Sequence, residues 1–280
     1  KGELDRAAAE YRKLLTIDKP DSQQLAWSPD GQTLAFLKGF EGRFNFYSHE
    51  RLAVVPAAGG EPRVLTEKLD RRVTQPEFTV DGSALTFLVE DDRRAYLGKI
   101  AVGGGEVERL TDGSAVLSAR ESEGGRTAVA AATDAAATEI YALENGKLRK
   151  LTSHNDALIA EWQLGAVEDI EFRSKDGTEV HGLMVKPPSY EAGKRYPAVL
   201  WIHGGPGMQD DHALLFDLYP LQLERQFLAA NGYVVLAVNY RGSSGRGAEY
   251  ARSILGDWGN KEVADLLAAV GPREDARAFP

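Results

Sequence analysis

Through the first half of the chain, apolar and polar residues alternate in short runs that are interrupted by glycine-bearing turns. Leu25-Ala-Trp-Ser-Pro-Asp-Gly-Gln-Thr-Leu-Ala-Phe-Leu37 aligns with Pro76-Glu-Phe-Thr-Val-Asp-Gly-Ser-Ala-Leu-Thr-Phe-Leu88. A period of two predicts strands with one buried face, and Asp-Gly between two such runs predicts a hairpin. A degraded third copy runs from Ala115 to Ala132, with Glu123-Gly124-Gly125 in the turn. Each unit continues into a further strand, at Leu52–Val55, Ala95–Ala101 and Glu139–Leu143. Each then closes on a short end, Val64-Leu65-Thr66, Arg109-Leu110-Thr111 or Lys150-Leu151-Thr152. Four strands in roughly 40–50 residues is the size of a β-propeller blade. Three blades do not close a ring, so either further blades lie upstream or the units form an open stack. Ala7–Ile17 reads as the last strand of a preceding blade, with a short helix over Gly2–Arg12 as the alternative.

The pattern changes near Gly165. Val167–Arg173 and Glu179–Lys186 alternate across Ser174-Lys-Asp-Gly-Thr178, another hairpin. Pro197–His203 and Tyr233–Asn239 are nearly continuous apolar runs, as expected of strands buried on both faces. Tyr219–Ala230 places Leu221, Leu223, Phe227 and Leu228 at helical spacing and is followed by Asn231-Gly232 as a C-cap. Gly247–Leu255 and Lys261–Val270 also read as helices. Strand, helix, strand, helix in this order implies a parallel α/β sheet. The expected division is residues 1–160 as blades and 161–280 as an α/β domain.

Composition narrows the function classes. A net charge of −9 argues against general nucleic-acid or anionic-membrane binding. The absence of cysteine excludes disulfides, thiolate metal sites and cysteine nucleophiles. No apolar run reaches the roughly 18 residues of a membrane span, and no hydrophobic leader follows the first residues, KGELDR. The expectation is a soluble chain, cytoplasmic in preference to periplasmic or secreted, whose true start lies upstream.

The stretch richest in chemistry is His203-Gly204-Gly205-Pro206-Gly207, directly after an apolar strand. Glycines there let backbone N–H groups face a reacting oxygen without a side chain in the way, as an oxyanion hole requires. A tight glycine turn without catalytic meaning is the alternative. Val234-Val-Leu-Ala-Val-Asn-Tyr-Arg-Gly-Ser-Ser-Gly245 follows, then Gly256-Asp-Trp-Gly259 and a helix bearing Asp265. This ordered series, with the repeats before it, resembles the prolyl oligopeptidase (S9) family of serine peptidases, in its acylaminoacyl- and dipeptidyl-peptidase-like branch.

The resemblance implies about three propeller blades followed by the N-terminal part of an α/β-hydrolase domain. It implies acyl-enzyme hydrolysis of short peptides, with no cofactor and no metal. Gly205 matches the position whose N–H contributes to the oxyanion hole, with His203 and Gly204 beside it. Tyr240 and Arg241 match a loop that shapes the substrate pocket, Arg241 as an organising ion pair, and Trp258 packs between loop and helix.

The departures bear on activity. No Gly-x-Ser-x-Gly elbow occurs; in Gly242-Ser-Ser-Gly-Arg246 an arginine replaces the last glycine, so Ser243 and Ser244 read as loop serines. In α/β-hydrolases the Asp and His follow the Ser, whereas His49, His154, His181, His203 and His212 all precede any elbow. Gly271–Pro280 reads as polar coil. The expectation is a fragment, inactive alone and prone to self-association unless further chain completes both domains.

Asp210-Asp211-His212 is set aside as a metal site, because adjacent loop residues rarely converge on one ion. Asp91-Asp-Arg-Arg94 and Asp70-Arg-Arg72 read as solvated turns with local pairing, or else as a lining that binds peptide termini. Gly103-Gly-Gly105 reads as a hairpin turn. Two other functional readings stand beside the peptidase: a TolB-type propeller binding module and an esterase-like hydrolase.

Overall fold

A computed structural model of the chain describes residues 20–39, 44, 47–214 and 221–271. The segments expected at Gly2–Arg12 and Ala7–Ile17, and the coil beyond Gly271, lie outside them. The first unit is β1 (Pro20–Trp27), β2 (Thr33–Lys38), β3 (Arg51–Pro56) and β4 (Arg63–Val64), antiparallel in that order. The second is β5 (Arg72–Phe78), β6 (Ala84–Asp91), β7 (Arg94–Ala101) and β8 (Glu108–Arg109). The third is β9 (Val116–Glu123), β10 (Arg126–Thr133), β11 (Ala136–Glu144) and β12 (Lys147–Lys150). One parallel bridge, Ala95 to Val116, joins the second unit to the third. Among the described residues the units form no closed ring.

The sequence repeat is also a repeat of hydrogen bonds. In the β1–β2 turn, Gly31 N–H donates to Ser28 C=O at 2.8 Å, and the Ser28 hydroxyl donates to Asp30 Oδ1 at 2.6 Å. In the β5–β6 turn, Gly82 N–H donates to Thr79 C=O at 2.8 Å, and the Thr79 hydroxyl donates to Asp81 Oδ1 at 2.6 Å. The Thr79 hydroxyl, together with the N–H and hydroxyl of Ser83, holds the Asp81 carboxyl down at about 2. Gly31 and Gly82 both have φ of 69°, where a side chain would be strained.

The Leu-Thr ends repeat as well. Leu65, Leu110 and Leu151 donate their N–H groups to Leu52, Leu97 and Ile140 C=O, each at 2.8 Å. The next residue's hydroxyl then takes the N–H of that same partner: Thr66 from Leu52 at 2.9 Å, Thr111 from Leu97 at 3.1 Å, Thr152 from Ile140 at 2.9 Å. A threonine thus extends each two- to four-residue outer strand by one rung. Leu37, Leu52, Leu85, Phe87 and Ile100 pack between the first and second units, and Leu88, Leu97, Leu117 and Val129 between the second and third.

After α1 (Asp156–Ile159), the remaining sheet has the order β13 (Val167–Arg173), β14 (Glu179–Val185), β16 (Val234–Asn239), β15 (Ala198–Trp201). Only β15 and β16 run parallel; β13, β14 and β16 are antiparallel, so the sheet is mixed rather than wholly parallel. β16 is buried throughout, as expected of a central strand. β15 is not: Ala198 is exposed and the other three residues are half-buried, because no described strand pairs on its far side.

The helices are α2 (Leu221–Ala230), α3 (Ala248–Arg252) and α4 (Lys261–Ala269). α2 ends on Gly232 at φ 88°, with Gly232 N–H donating to Ala229 C=O. Its buried face is Gln222, Arg225, Gln226 and Ala229, with Leu223 and Leu228 half-buried, Leu228 against Val185 and Val235; of the described apolar residues expected at helical spacing, Phe227 is the one that faces out, at 69% exposure. The polar face turns inward because Gln226 satisfies both backbone groups of Gly165, at 2.7 and 3.0 Å. No helix among the described residues is long and apolar enough to cross a membrane.

Candidate functional site

The loop after β15 is built on a buried histidine. His203 is 4% exposed, and its ring stacks on Tyr240 with centroids 4.7 Å apart and planes 15° apart. Tyr240 Oη donates to His203 C=O at 2.6 Å, and burial pushes the phenol up to about 12. His203 Nδ1 lies 3.3 Å from Gly204 C=O and Nε2 lies 2.9 Å from Ser243 Oγ. Burial lowers the imidazole pKa, so the ring is neutral and carries one proton. A carbonyl only accepts, so Nδ1 holds that proton and Nε2 accepts from the Ser243 hydroxyl.

This is a serine–imidazole pair, but Ser243 is 0% exposed, and among the described residues no carboxylate hydrogen-bonds the ring. The pair fixes the loop rather than offering a nucleophile. Gly242 contributes by its bareness, since a Cβ there would overlap Ile254 and press on Pro206.

Above this base, Gly204 and Gly205 are exposed, and neither N–H donates to another described residue. Gly205 has φ of 72°, a conformation only glycine adopts without strain, whereas Gly204 has no such requirement. A small cleft of about 170 Å³ adjoins Gly207, bordered by His49, Glu50, Arg72, Ser244 and Gly247.

Tyr240 and Arg241, expected on the pocket loop, are buried side chains that do not border this cleft. Arg241 holds Asp265 through Nε at 3.0 Å and Nη2 at 2.7 Å, and also reaches Asp176 in the β13–β14 turn. These partners raise its pKa and depress that of Asp176. The organising ion pair expected of Arg241 is present. Trp258 is 65% exposed and hydrogen-bonds Tyr47 Oη through Nε1, so it does not fill a loop–helix interface.

The larger correction concerns Asp91–Arg94. Asp92 and Arg93 form the two-residue β6–β7 turn at φ 34° and 68°, and Arg93 is 3% exposed rather than solvated. Asp92 N–H donates to Gly245 C=O at 3.0 Å, and Arg93 N–H donates to Gln209 Oε1 at 2.8 Å. The Arg93 guanidinium reaches Asp169 at 3.1 Å and Glu171 at 3.2 Å on β13, and Gly182 C=O at 3.3 Å on β14. The strained turn persists because contacts from three other segments hold it.

His212 is a second tie. Its Nδ1 lies 2.8 Å from Asp134 in the β10–β11 turn, and its Nε2 lies 2.9 Å from Asp169. Both carboxylates accept, so the ring is held as imidazolium; although burial opposes the charge, the two carboxylates leave its pKa raised. Asp210, beside it, pairs with Arg225 and exchanges hydrogen bonds with Asn239 at 2.7 and 2.9 Å. Among the described residues no group of three His, Cys, Asp or Glu is placed to hold a metal ion.

Residues 219–272 match the model of the prolyl oligopeptidase family. The chain is 36% identical over 134 residues to the uncharacterized peptidase YuxL of Bacillus subtilis, covering 48% of this chain and 19% of that protein. It is 24% identical over 250 residues to dipeptidyl-peptidase 5 of Porphyromonas gingivalis, covering 87% of this chain and 35% of the relative. Acylaminoacyl peptidase of Pyrococcus horikoshii superposes with a TM-score of 0.72 at 22% identity, covering 86% of this chain and 36% of that one. The chain therefore spans little more than a third of these proteins at most. The order of the elements, the held loop after β15, the family-model match over residues 219–272 and these likenesses all point to the prolyl oligopeptidase family of peptidases as what the chain is similar to.

Proposed function

We propose that these residues supply the oxyanion-binding loop of a serine-type peptidase, together with the sheets that cover it. Residues 1–160 then act as propeller blades and 161–280 as the opening of the α/β-hydrolase domain. The carrying observation is the exposed pair Gly204 and Gly205, whose N–H groups have no partner among the described residues, on a loop held from below by His203, Tyr240 and Ser243. Donors fixed before the reaction, aimed where negative charge develops, stabilise an acyl-transfer transition state. The substrate class is short peptides, by analogy with the dipeptidyl- and acylaminoacyl-peptidase relatives.

No Gly-x-Ser-x-Gly elbow occurs in the 280 residues, so on this reading they do not hydrolyse peptides unaided. The purified chain is expected to leave chromogenic dipeptide and acyl-amino-acid substrates intact and to take up no fluorophosphonate; a labelled serine would overturn this. In the product of the whole gene encoding these residues, Gly205→Ala displaces the donor. It is expected to lower kcat by about 10²–10³ with the fold retained. An unchanged kcat would remove Gly205 from the oxyanion hole.

A further inference from the structure

Gly204 and Gly205 lie on a span whose two ends are anchored in different sheets. At the near end, His203 and Tyr240 fix the loop on the mixed sheet. Beyond Gly207 the anchor is the second strand unit. The Gln209 side-chain amide pairs with the backbone of the β6–β7 turn: Oε1 accepts from Arg93 N–H at 2.8 Å, and Nε2 donates to Arg94 C=O at 3.2 Å. His212 N–H adds a bond to Arg93 C=O at 3.2 Å. One primary amide thus meets both a donor and an acceptor of the turn, which fixes its orientation as well as its distance.

The same turn takes hold of the loop opposite. Asp92 N–H donates to Gly245 C=O at 3.0 Å, and Ser244 N–H donates to Met208 C=O at 3.1 Å. The turn, Gln209 and the Ser244–Gly245 loop therefore close a ring of contacts beside Gly207. A Cβ on Gly245, at φ 79°, would overlap Gln209 Oε1, so these segments meet without room for another side chain. The turn is a firm anchor, because Asp92 and Arg93 hold left-handed backbone angles that the surrounding bonds sustain. The hairpin does not need these outside bonds to close, since Asp91 already pairs with Arg94 in its ladder.

We infer that the Asp92–Arg93 turn, acting through Gln209, sets the position of Gly204 and Gly205, which makes Gln209 a positioning residue of the loop. The catalytic consequence rests on the oxyanion reading of the two glycines; their placement does not. An oxyanion donor has to lie about 2.7–3.1 Å from the charge it meets. A displacement of about 1 Å can cost about 10²-fold in rate. The second unit then belongs to the framework of the site as well as to its cover.

Gln209→Met keeps the length of the side chain and removes both bonds, whereas Gln209→Glu keeps the acceptor alone. In the product of the whole gene, kcat is expected to fall about 10- to 100-fold in Gln209→Met and less in Gln209→Glu, with KM within about twofold. In a Gly205→Ala background the Gln209→Met loss is expected to vanish, because both changes act on one donor. In the purified chain labelled with nitrogen-15 glycine, Gln209→Met is expected to shift the Gly204 and Gly205 amide resonances. Those of Gly59 and Gly146, in turns of the first and third units, are expected to stay in place and report a retained fold. Gln209→Glu provides the same readings at smaller amplitude should Gln209→Met fail to fold. Unmoved Gly204 and Gly205 resonances in a folded variant would overturn the inference. So would an unchanged kcat in both variants, or equal Gln209→Met losses with and without a Gly205→Ala change that itself lowers kcat. A silent Gly205→Ala strikes the oxyanion reading instead, and the glycine resonances then decide the placement by themselves.

Discussion

Thr66, Thr111 and Thr152 illustrate how a single hydroxyl acts as backbone. Thr66 and Thr111 are each 2% exposed and accept the N–H of Leu52 and Leu97. Valine keeps the shape but leaves that donor buried and unmet, so Thr66→Val and Thr111→Val are each expected to cost about 1–3 kcal/mol in urea unfolding. The Leu-Thr recurrence and the Asp-Gly turns were visible in the sequence because their bonds are local or follow the repeat. Arg93 was not, because an Asp-Arg pair in a two-residue turn carries no turn signature. Its conformation is set by Gly245, Gln209 and Asp169, far away in the chain. The Ser243–His203 bond was hidden for the same reason, since 40 residues separate its partners.

At the scale of elements, the strands were readable almost throughout, and the differences lay in the strand directions of the mixed sheet and in the polar share of the α2 face that turns inward. Periodicity finds a helix from its apolar stripe, but here the buried stripe is Gln222, Arg225, Gln226 and Ala229. The packing partner decided this: Gly165 offers two backbone groups that only an amide satisfies at once. Gln226→Leu is expected to cost about 1–3 kcal/mol. Phe227→Gln, on the exposed face, is expected to stay within about 0.5 kcal/mol. Equal effects in thermal or chemical denaturation would show that the helix face has been assigned wrongly. β15 was misjudged in a similar way: its apolar run announced a strand, but burial depends on neighbours that a run of residues does not reveal.

For the whole molecule, charged contacts from Arg93 and His212 join the blade-like units to the mixed sheet and the loop beside it, so stability depends on pH. His212 has a folded pKa above its unfolded value, so its contribution is complete below about 6.5 and is lost as pH rises through the folded value. The raised Asp211 carboxyl acts in the same direction, its advantage present below its unfolded value near 3.8 and gone above about 7. Depressed carboxylates such as Asp81 and Asp169 oppose them and lose their contribution in acid. Stability is expected to peak in mild acid, and His212→Gln is expected to flatten the alkaline limb of a pH series of denaturation midpoints.

The three threonine-closed edges have a consequence for how the stack comes apart. The amide protons of Leu52, Leu97 and Ile140 are each held by a side-chain oxygen at the same place in successive units. Leu52 and Leu97 are matched reporters, both buried, whereas Ile140 is 39% exposed and serves as the exposed member of the series. In an array whose units are stabilised by adjacent ones, the middle unit opens last. Hydrogen exchange is therefore expected to be slowest at Leu97, whose unit packs on both sides. Identical rates at all three would mean that the stack opens as one cooperative block.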